Sequence, residues 1–203
     1  MKKNAITFFL AAIFVIAGAV VAGIARPTEG EVPAPPAIGA TIEDFTLPDA
    51  DGKEHSLNSL KGKSGSVLIF VATKCPVSNA YNERMEKLAQ EFKARGVNVI
   101  GINSNVAESA AAVKTHAAES KFSFPVLKDP GNKIADRLGA TVTPEAYLLD
   151  AGNKLVYHGR IDNAKDAANV ASSELRDAIE ATLAGKPVVK TTANAFGCTI
   201  KRA

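Results

Sequence analysis

The chain of 203 residues is long enough for one domain, or for a small domain with a tail. Hydrophobic residues make up 46% of it and charged residues 22%, proportions that exclude a wholly disordered or fibrous protein. Its 24 basic and 21 acidic residues leave a net charge of +3 with no basic cluster, so nothing in the charge favours nucleic-acid binding.

The first 25 residues have the pattern of an export segment. Lys2 and Lys3 precede 21 uncharged residues at positions 5–25, which suits a cleaved signal peptide and is also long enough for a retained membrane anchor. In both cases the rest of the chain is expected outside the cytoplasm, periplasmic or secreted, where a disulfide can persist. The alternative, a buried core helix, is disfavoured by the charged start and by the prolines that follow.

The remaining chain divides into three parts. Residues 26–37 contain four prolines and predict an extended linker. Residues 38–186 carry the predicted domain, and residues 187–203 are expected to form a tail that carries Cys198. Membrane contact is expected only through the N-terminal segment.

Hydrophobic periodicity predicts strands that alternate with helices. The predicted strands cover residues 44–47, 54–57, 67–71, 97–102, 122–127, 145–150 and 154–158. The predicted helices cover residues 76–94, 108–119, 132–138 and 172–184. The first two strands flank an Asp-Gly turn and the last two flank a Gly-Asn turn, so each pair is expected to form a hairpin. This pattern favours an α/β fold with helices on both faces of a sheet.

Cys75 is the leading candidate for chemistry. It follows a buried strand and precedes Pro76, which suits the first turn of a helix. Free N–H groups and the helix dipole at that position favour a thiolate, Lys74 adds positive charge, and the Ser78 hydroxyl could face the sulfur. A low pKa would make Cys75 a nucleophile toward disulfides and peroxides. The alternative is a buried cysteine that only fills space.

These features resemble the thioredoxin-like superfamily and, within it, the redoxin branch, the alkyl hydroperoxide reductase and thiol-specific antioxidant family. The resemblance covers residues 38–186 and lies in the segments FTLPDADGKEHSL, CPVSNAYNERM, VTPEAYLLD and YHGRID. It implies a thioredoxin-like fold, with a central mixed β-sheet flanked by helices on both faces, and an activity that depends on a reactive thiol.

The resemblance also implies roles for individual residues. Cys75 matches the attacking cysteine, and Ser78 stands where thioredoxins carry a second cysteine. Thr143 and Pro144 match the cis-proline loop that lies against the active-site sulfur and pairs with the substrate backbone. The alternative for Pro144 is an ordinary trans turn proline.

Three positions depart from the family pattern. Lys74 replaces the aromatic residue that usually precedes the thioredoxin cysteine, and Ala72 stands where peroxiredoxins usually carry a threonine. Thr73, one residue away, offers a hydroxyl instead, and no arginine lies at positions 143–145. Thiol–disulfide exchange needs fewer groups than efficient peroxide reduction, so these departures weigh against a peroxidase.

Cys198 is the only second cysteine in the chain, so it is the candidate that resolves a mixed disulfide or sulfenic acid at Cys75. Gly197 would let the tail backbone approach another surface closely. The alternatives are a buried structural cysteine, a cysteine that links a dimer, or a purely structural disulfide with Cys75.

The sequence therefore predicts a thiol-dependent oxidoreductase of redoxin type that needs no bound cofactor or metal. Its substrate would be a disulfide protein or a hydroperoxide, and an external thiol reductant, thioredoxin-like or a membrane disulfide reductase, would restore it. One rival is a copper-binding module in which His158 joins the two cysteines, although histidines this scattered are usually surface residues. The other rival is an interaction module without redox activity.

Overall fold

The structure, a computed structural model, describes residues 32–202. The predicted signal or anchor segment and residues 26–31 of the predicted linker lie outside the described residues. Among residues 32–202, no helix is both long enough and apolar enough to cross a membrane.

The described chain alternates short strands and helices, as the periodicity predicts. The strands are β1 (Thr46–Pro48), β2 (Glu54–Ser56), β3 (Gly65–Phe70), β4 (Val97–Asn103), β5 (Val126–Lys128), β6 (Val142–Thr143), β7 (Glu145–Asp150), β8 (Leu155–Gly159), β9 (Thr192–Ala193) and β10 (Cys198–Thr199). The helices are α1 (Leu57–Leu60), α2 (Pro76–Ala80), α3 (Asn82–Lys93), α4 (Ala110–Glu119), α5 (Lys133–Leu138) and α6 (Glu174–Leu183).

Six strands form the central sheet, in the order β5-β4-β3-β7-β8-β9. Strands β3, β4 and β5 run parallel, whereas β7 is antiparallel to both β3 and β8. The sheet is therefore mixed. All six residues of β3 are buried, because this apolar strand lies inside the sheet and is covered on both faces.

Alternate residues of β3 face two separate cores. Val67 and Ile69 pack with the apolar sides of α3, α4 and α6, whereas Leu68 and Phe70 pack with α1, α5 and the hairpin β1–β2. Helices thus cover both faces of the sheet. The predicted α/β class, with the thioredoxin-like arrangement that the resemblance implies, is confirmed.

The predicted helix 76–94 is divided into α2 and α3 by a break at Tyr81. The Tyr81 N–H donates to the Ser78 carbonyl, three residues back, at 3.0 Å. The Tyr81 hydroxyl donates to Asp162 at 2.8 Å, which anchors the break to the segment that follows β8. The predicted strand 122–127 is also shorter, because Pro125 has no N–H to contribute to the strand ladder.

The tail beyond α6 is built into the fold through two strands that the sequence did not indicate. Strand β9 joins the central sheet parallel to β8, and β10 pairs with β6. Gly159 permits the first contact, since a Cβ there would lie 2.0 Å from the Ala193 carbonyl oxygen. We call residues 192–202 the C-terminal strap.

The packing of Phe70 leads to a stability prediction. Its side chain is fully buried against Tyr147, with ring centroids 5.7 Å apart. Phe70→Ala should lower the free energy of unfolding by about 3–5 kcal/mol, because a large cavity replaces the ring. Urea denaturation followed by circular dichroism measures this change.

Val189→Ala is the matched control, since Val189 is fully exposed. It should change the free energy of unfolding by less than about 0.5 kcal/mol. Equal effects of the two substitutions would contradict the placement of Phe70 in the core.

Candidate active site

Cys75 lies where β3 gives way to α2. It is the N-cap residue of α2, with Pro76 in the first turn, and only 3% of its surface is exposed. The Ser78 N–H donates to Cys75 Sγ at 3.3 Å, and the Cys75 thiol donates to the Thr143 carbonyl at 3.4 Å. The sulfur is therefore held between the start of α2 and strand β6.

The loop opposite the sulfur has the geometry that the resemblance implies. The peptide bond between Thr143 and Pro144 is cis, which confirms that prediction. Strand β6 pairs with β10 in an antiparallel register that places Cys198 directly across from Thr143. Because the Thr143 carbonyl also accepts the thiol of Cys75, the two cysteines meet at this point.

Gly197 makes this approach feasible. A Cβ at position 197 would lie 1.9 Å from the Thr143 carbonyl oxygen, so no other residue fits there without a shift of the backbone. The predicted close approach of the tail at Gly197 is confirmed. Both cysteines are free thiols in this structure, with Cys75 buried and Cys198 partly exposed.

The pKa values of the two thiols are shifted in opposite directions from that of an ordinary thiol. Burial acts to raise the pKa of Cys75, but the Cys198 thiol, the Ser78 N–H and the Thr143 side chain outweigh it, so the pKa is lowered overall. The pKa of Cys198 is raised, chiefly by its hydrogen bond to Cys75 and further by burial. The geometry therefore favours a thiolate at Cys75 and a protonated thiol at Cys198.

Three predicted supporting residues act differently from expectation. Ser78 contacts the sulfur through its backbone N–H, while its hydroxyl accepts from the Ala72 N–H at 3.2 Å. The exposed side chain of Lys74 is not among the main causes of the lowered Cys75 pKa. Thr73 bonds to Glu108 rather than to the sulfur.

Glu108 is a buried carboxylate that no motif in the sequence indicated. It accepts the N–H groups of Thr73 at 2.8 Å and Lys74 at 3.2 Å, together with the Asn103 amide at 2.6 Å. Burial acts to raise the pKa of Glu108, but these hydrogen bonds outweigh it and hold the pKa below its ordinary value. Glu108 therefore fixes the loop that leads into Cys75.

Glu145 fixes the loop before Thr143 in the way that Glu108 fixes the loop before Cys75. It is buried directly after Pro144 and accepts the N–H groups of Thr141 and Val142 at 2.8 and 3.1 Å. Burial acts to raise its pKa, but hydrogen bonds from His158 and these two N–H groups lower it overall.

The bond between His158 and Glu145 bears on the copper alternative. His158 Nε2 lies 2.6 Å from Glu145, and its ring stacks on Tyr147. The His158 ring is thus engaged by Glu145 and Tyr147 rather than by the two cysteines. Residues 32–202 contain no group of three or more His, Cys, Asp or Glu side chains placed to hold a metal ion.

A cavity of about 340 Å³ lies next to the two cysteines. Its walls carry both charge signs, from Glu108 on one hand and from Lys74 and Lys201 on the other. Cys75 and Cys198 are both among its lining residues. The arrangement can bring a small reactant to the thiol pair.

The chain is similar in sequence and in fold to thiol-dependent proteins of known family. The model of the AhpC/TSA family matches residues 38–158. Thiol-disulfide oxidoreductase ResA of Bacillus thuringiensis (strain Al Hakam) is 31% identical over 160 residues, which cover 77% of this chain and 88% of the relative. Chloroplastic peroxiredoxin Q of Sedum lineare is 31% identical over 136 residues, covering 63% and 72%. A solved structure, a hypothetical protein from Sinorhizobium meliloti 1021, has a TM-score of 0.77 and 33% identity, covering 82% of this chain and 95% of that one.

The effect of Cys198 on the pKa of Cys75 leads to a titration prediction. Cys198→Ala removes the donor to Cys75 and should raise the pKa of Cys75 above its value in Cys198→Ser, whose hydroxyl still donates. Each variant holds one cysteine, so the ultraviolet absorbance of the thiolate against pH reports Cys75 alone. An equal or lower pKa in Cys198→Ala would show that the Cys198 side chain does not stabilise the thiolate.

Glu108 leads to a pH-dependent stability prediction. Because its folded pKa lies below the ordinary value of 4.5, its carboxylate stabilises the fold fully above that pH and loses this effect as the pH falls through the folded pKa. Glu108→Gln should lower the free energy of unfolding at neutral pH by about 1–3 kcal/mol, because an amide NH2 replaces one of the two acceptor oxygens and leaves a buried N–H donor without its acceptor. The difference from the wild type should shrink as the pH falls below 4.5.

Urea denaturation at a series of pH values measures both effects. Glu43→Gln is the control, because the Glu43 side chain is 88% exposed. A wild-type stability curve that stays parallel to the Glu108→Gln curve in acid would refute the role of Glu108.

Proposed function

We propose that this chain, which belongs to the AhpC/TSA family, uses Cys75 as the attacking thiol and Cys198 as the resolving thiol of a two-cysteine redox cycle. The protein is a thiol-dependent oxidoreductase. The observation that carries the proposal is the pairing of β10 with β6, which places Cys198 beside Cys75 while both thiols are free.

In the first step the Cys75 thiolate attacks a disulfide or a hydroperoxide. With a disulfide, Cys75 Sγ bonds to one substrate sulfur and the other leaves as a thiolate. With a hydroperoxide, Cys75 Sγ takes an oxygen, the O–O bond breaks, and the alcohol or water leaves after it gains a proton. The lowered pKa of Cys75 increases the fraction of reactive thiolate.

In the second step Cys198 resolves the intermediate. Its thiol loses a proton and its sulfur bonds to Cys75 Sγ, which releases the second substrate thiolate or, from a sulfenic acid, water. The protein has then lost two electrons to the substrate and holds a Cys75–Cys198 disulfide. The pairing of β10 with β6 holds Cys198 opposite Thr143, close to Cys75.

In the third step an external thiol reductant restores both thiols. Its thiolate attacks the disulfide, and a second reductant thiol completes the two-electron transfer. Of the two cysteines Cys75 is the better leaving group, because its pKa is the lower. This cycle uses no bound cofactor.

The cycle fits a protein that works outside the cytoplasm. The charged start and the uncharged stretch at positions 5–25 support export, either with cleavage or with a retained anchor. A reversible disulfide persists more readily in that compartment than in the cytosol. Its reductant would then be thioredoxin-like or a membrane disulfide reductase.

The cycle is tested on residues 26–203 with one equivalent of hydrogen peroxide and, separately, of a small disulfide. Mass spectrometry should find a Cys75–Cys198 disulfide that dithiothreitol reverses. Cys75→Ser should abolish turnover, whereas Cys198→Ser should accumulate a sulfenic acid or mixed disulfide at Cys75. Turnover retained in full by Cys75→Ser would overturn the proposal.

A further inference from the structure

The C-terminal strap occupies the edge of β6 beside Cys75. Its strand β10 runs antiparallel to β6, so that Cys198 faces Thr143. The resemblance assigns Thr143 to backbone pairing with a substrate chain. In this structure the protein's own strap makes that pairing.

The strap is seated closely enough to leave no room for a second chain. The Gly197 backbone approaches the Thr143 carbonyl at a distance that excludes even a methyl group. The Phe196 ring meets the Tyr81 ring edge to face, with centroids 6.3 Å apart. With the strap docked, only 3% of the surface of Cys75 is exposed. An extended segment of a partner protein therefore cannot pair with Thr143 while the strap is docked.

Small molecules have a different route. The cavity of about 340 Å³ reaches both cysteines with the strap in place. A water molecule takes about 30 Å³ of liquid volume, so the cavity admits hydrogen peroxide and compounds several times larger. A folded protein that presents a disulfide does not fit.

We infer that the C-terminal strap is an internal substitute for a substrate chain, which excludes protein disulfides from Cys75 and admits small oxidants through the cavity. This inference rests on the proposed function, because it concerns the oxidant that Cys75 attacks. With a small hydroperoxide, Cys75 Sγ gains an oxygen and is oxidised by two electrons, while the O–O bond is reduced and an alcohol or water leaves. A protein disulfide reaches Cys75 only after the strap detaches.

The anchors that hold the strap lie beyond Cys198. Ile200 is 3% exposed, packs into the core that contains Phe70, and donates its N–H to Thr141 at 2.9 Å. Arg202 donates to Asp136 at 2.8 Å and to the Ala140 carbonyl at 2.6 Å. Neither side chain lines the cavity or touches a sulfur, so both can be removed to loosen the strap.

The test uses the full chain with Cys198→Ser, which leaves Cys75 as the single cysteine and prevents resolution. Ile200→Ala and Arg202→Ala are added together, and two rates are measured at Cys75 by mass spectrometry. The first rate is mixed-disulfide formation with insulin, a protein disulfide, and the second is sulfenic acid formation with hydrogen peroxide.

The insulin rate should rise by at least about tenfold, because the loss of a buried isoleucine and an ion pair shifts the docking equilibrium by that much or more. The hydrogen peroxide rate should stay close to its original value, since the docked strap remains the major form and the cavity already admits hydrogen peroxide in that form. Arg202→Ala alone should raise the insulin rate by a smaller factor. This single variant replaces the double variant in the test if the double variant does not fold. Arg95→Ala is the matched control, because Arg95 forms an exposed ion pair with Glu180.

The outcomes separate the two proposals. An insulin rate that stays the same, or rises in step with the peroxide rate, overturns the role of the strap and leaves the redox cycle intact. If Cys75 reacts with neither probe in any variant, the proposed function fails, and the inference fails with it.

Discussion

The antiparallel contact between β10 and β6 is the constraint on which the site depends. Without it Cys75 would face the cis-proline loop alone, because Ser78 occupies the place of a nearby second cysteine. The contact requires a residue without a side chain at position 197. It brings Cys198 close to Cys75, more than a hundred residues away in sequence. It also accompanies a lowered pKa at Cys75 and a raised pKa at Cys198.

Two buried carboxylates support this contact from either side. Glu108 holds the N–H groups that precede Cys75, and Glu145 holds the N–H groups of the loop before Thr143. Each carboxylate stays ionised although it is buried, because several donors replace the water it has lost. The two carboxylates therefore act as hydrogen-bond acceptors that fix the backbone loops on both sides of the Cys75 sulfur.

The sequence predicted those parts of the site that depend on local pattern. The continuous apolar run of β3 and the proline after Cys75 indicated a thiol at the start of a helix, and the structure places it there. Strands β9 and β10 were missed, because two residues show no periodicity and their pairing depends on distant partners. Glu108 was missed because a carboxylate near the start of a helix is usually solvated. Ser78 was identified, but sequence does not distinguish a contact through its hydroxyl from one through its N–H.

The central claim is that Cys75 and Cys198 act as one redox couple. Equilibration of the protein in buffers with graded ratios of reduced to oxidised glutathione, followed by alkylation and mass spectrometry, measures this most directly. Our account predicts that the two thiols disappear together in a single two-electron transition, with an intramolecular disulfide as the product. Separate transitions, or glutathione bound to each cysteine independently, would contradict it.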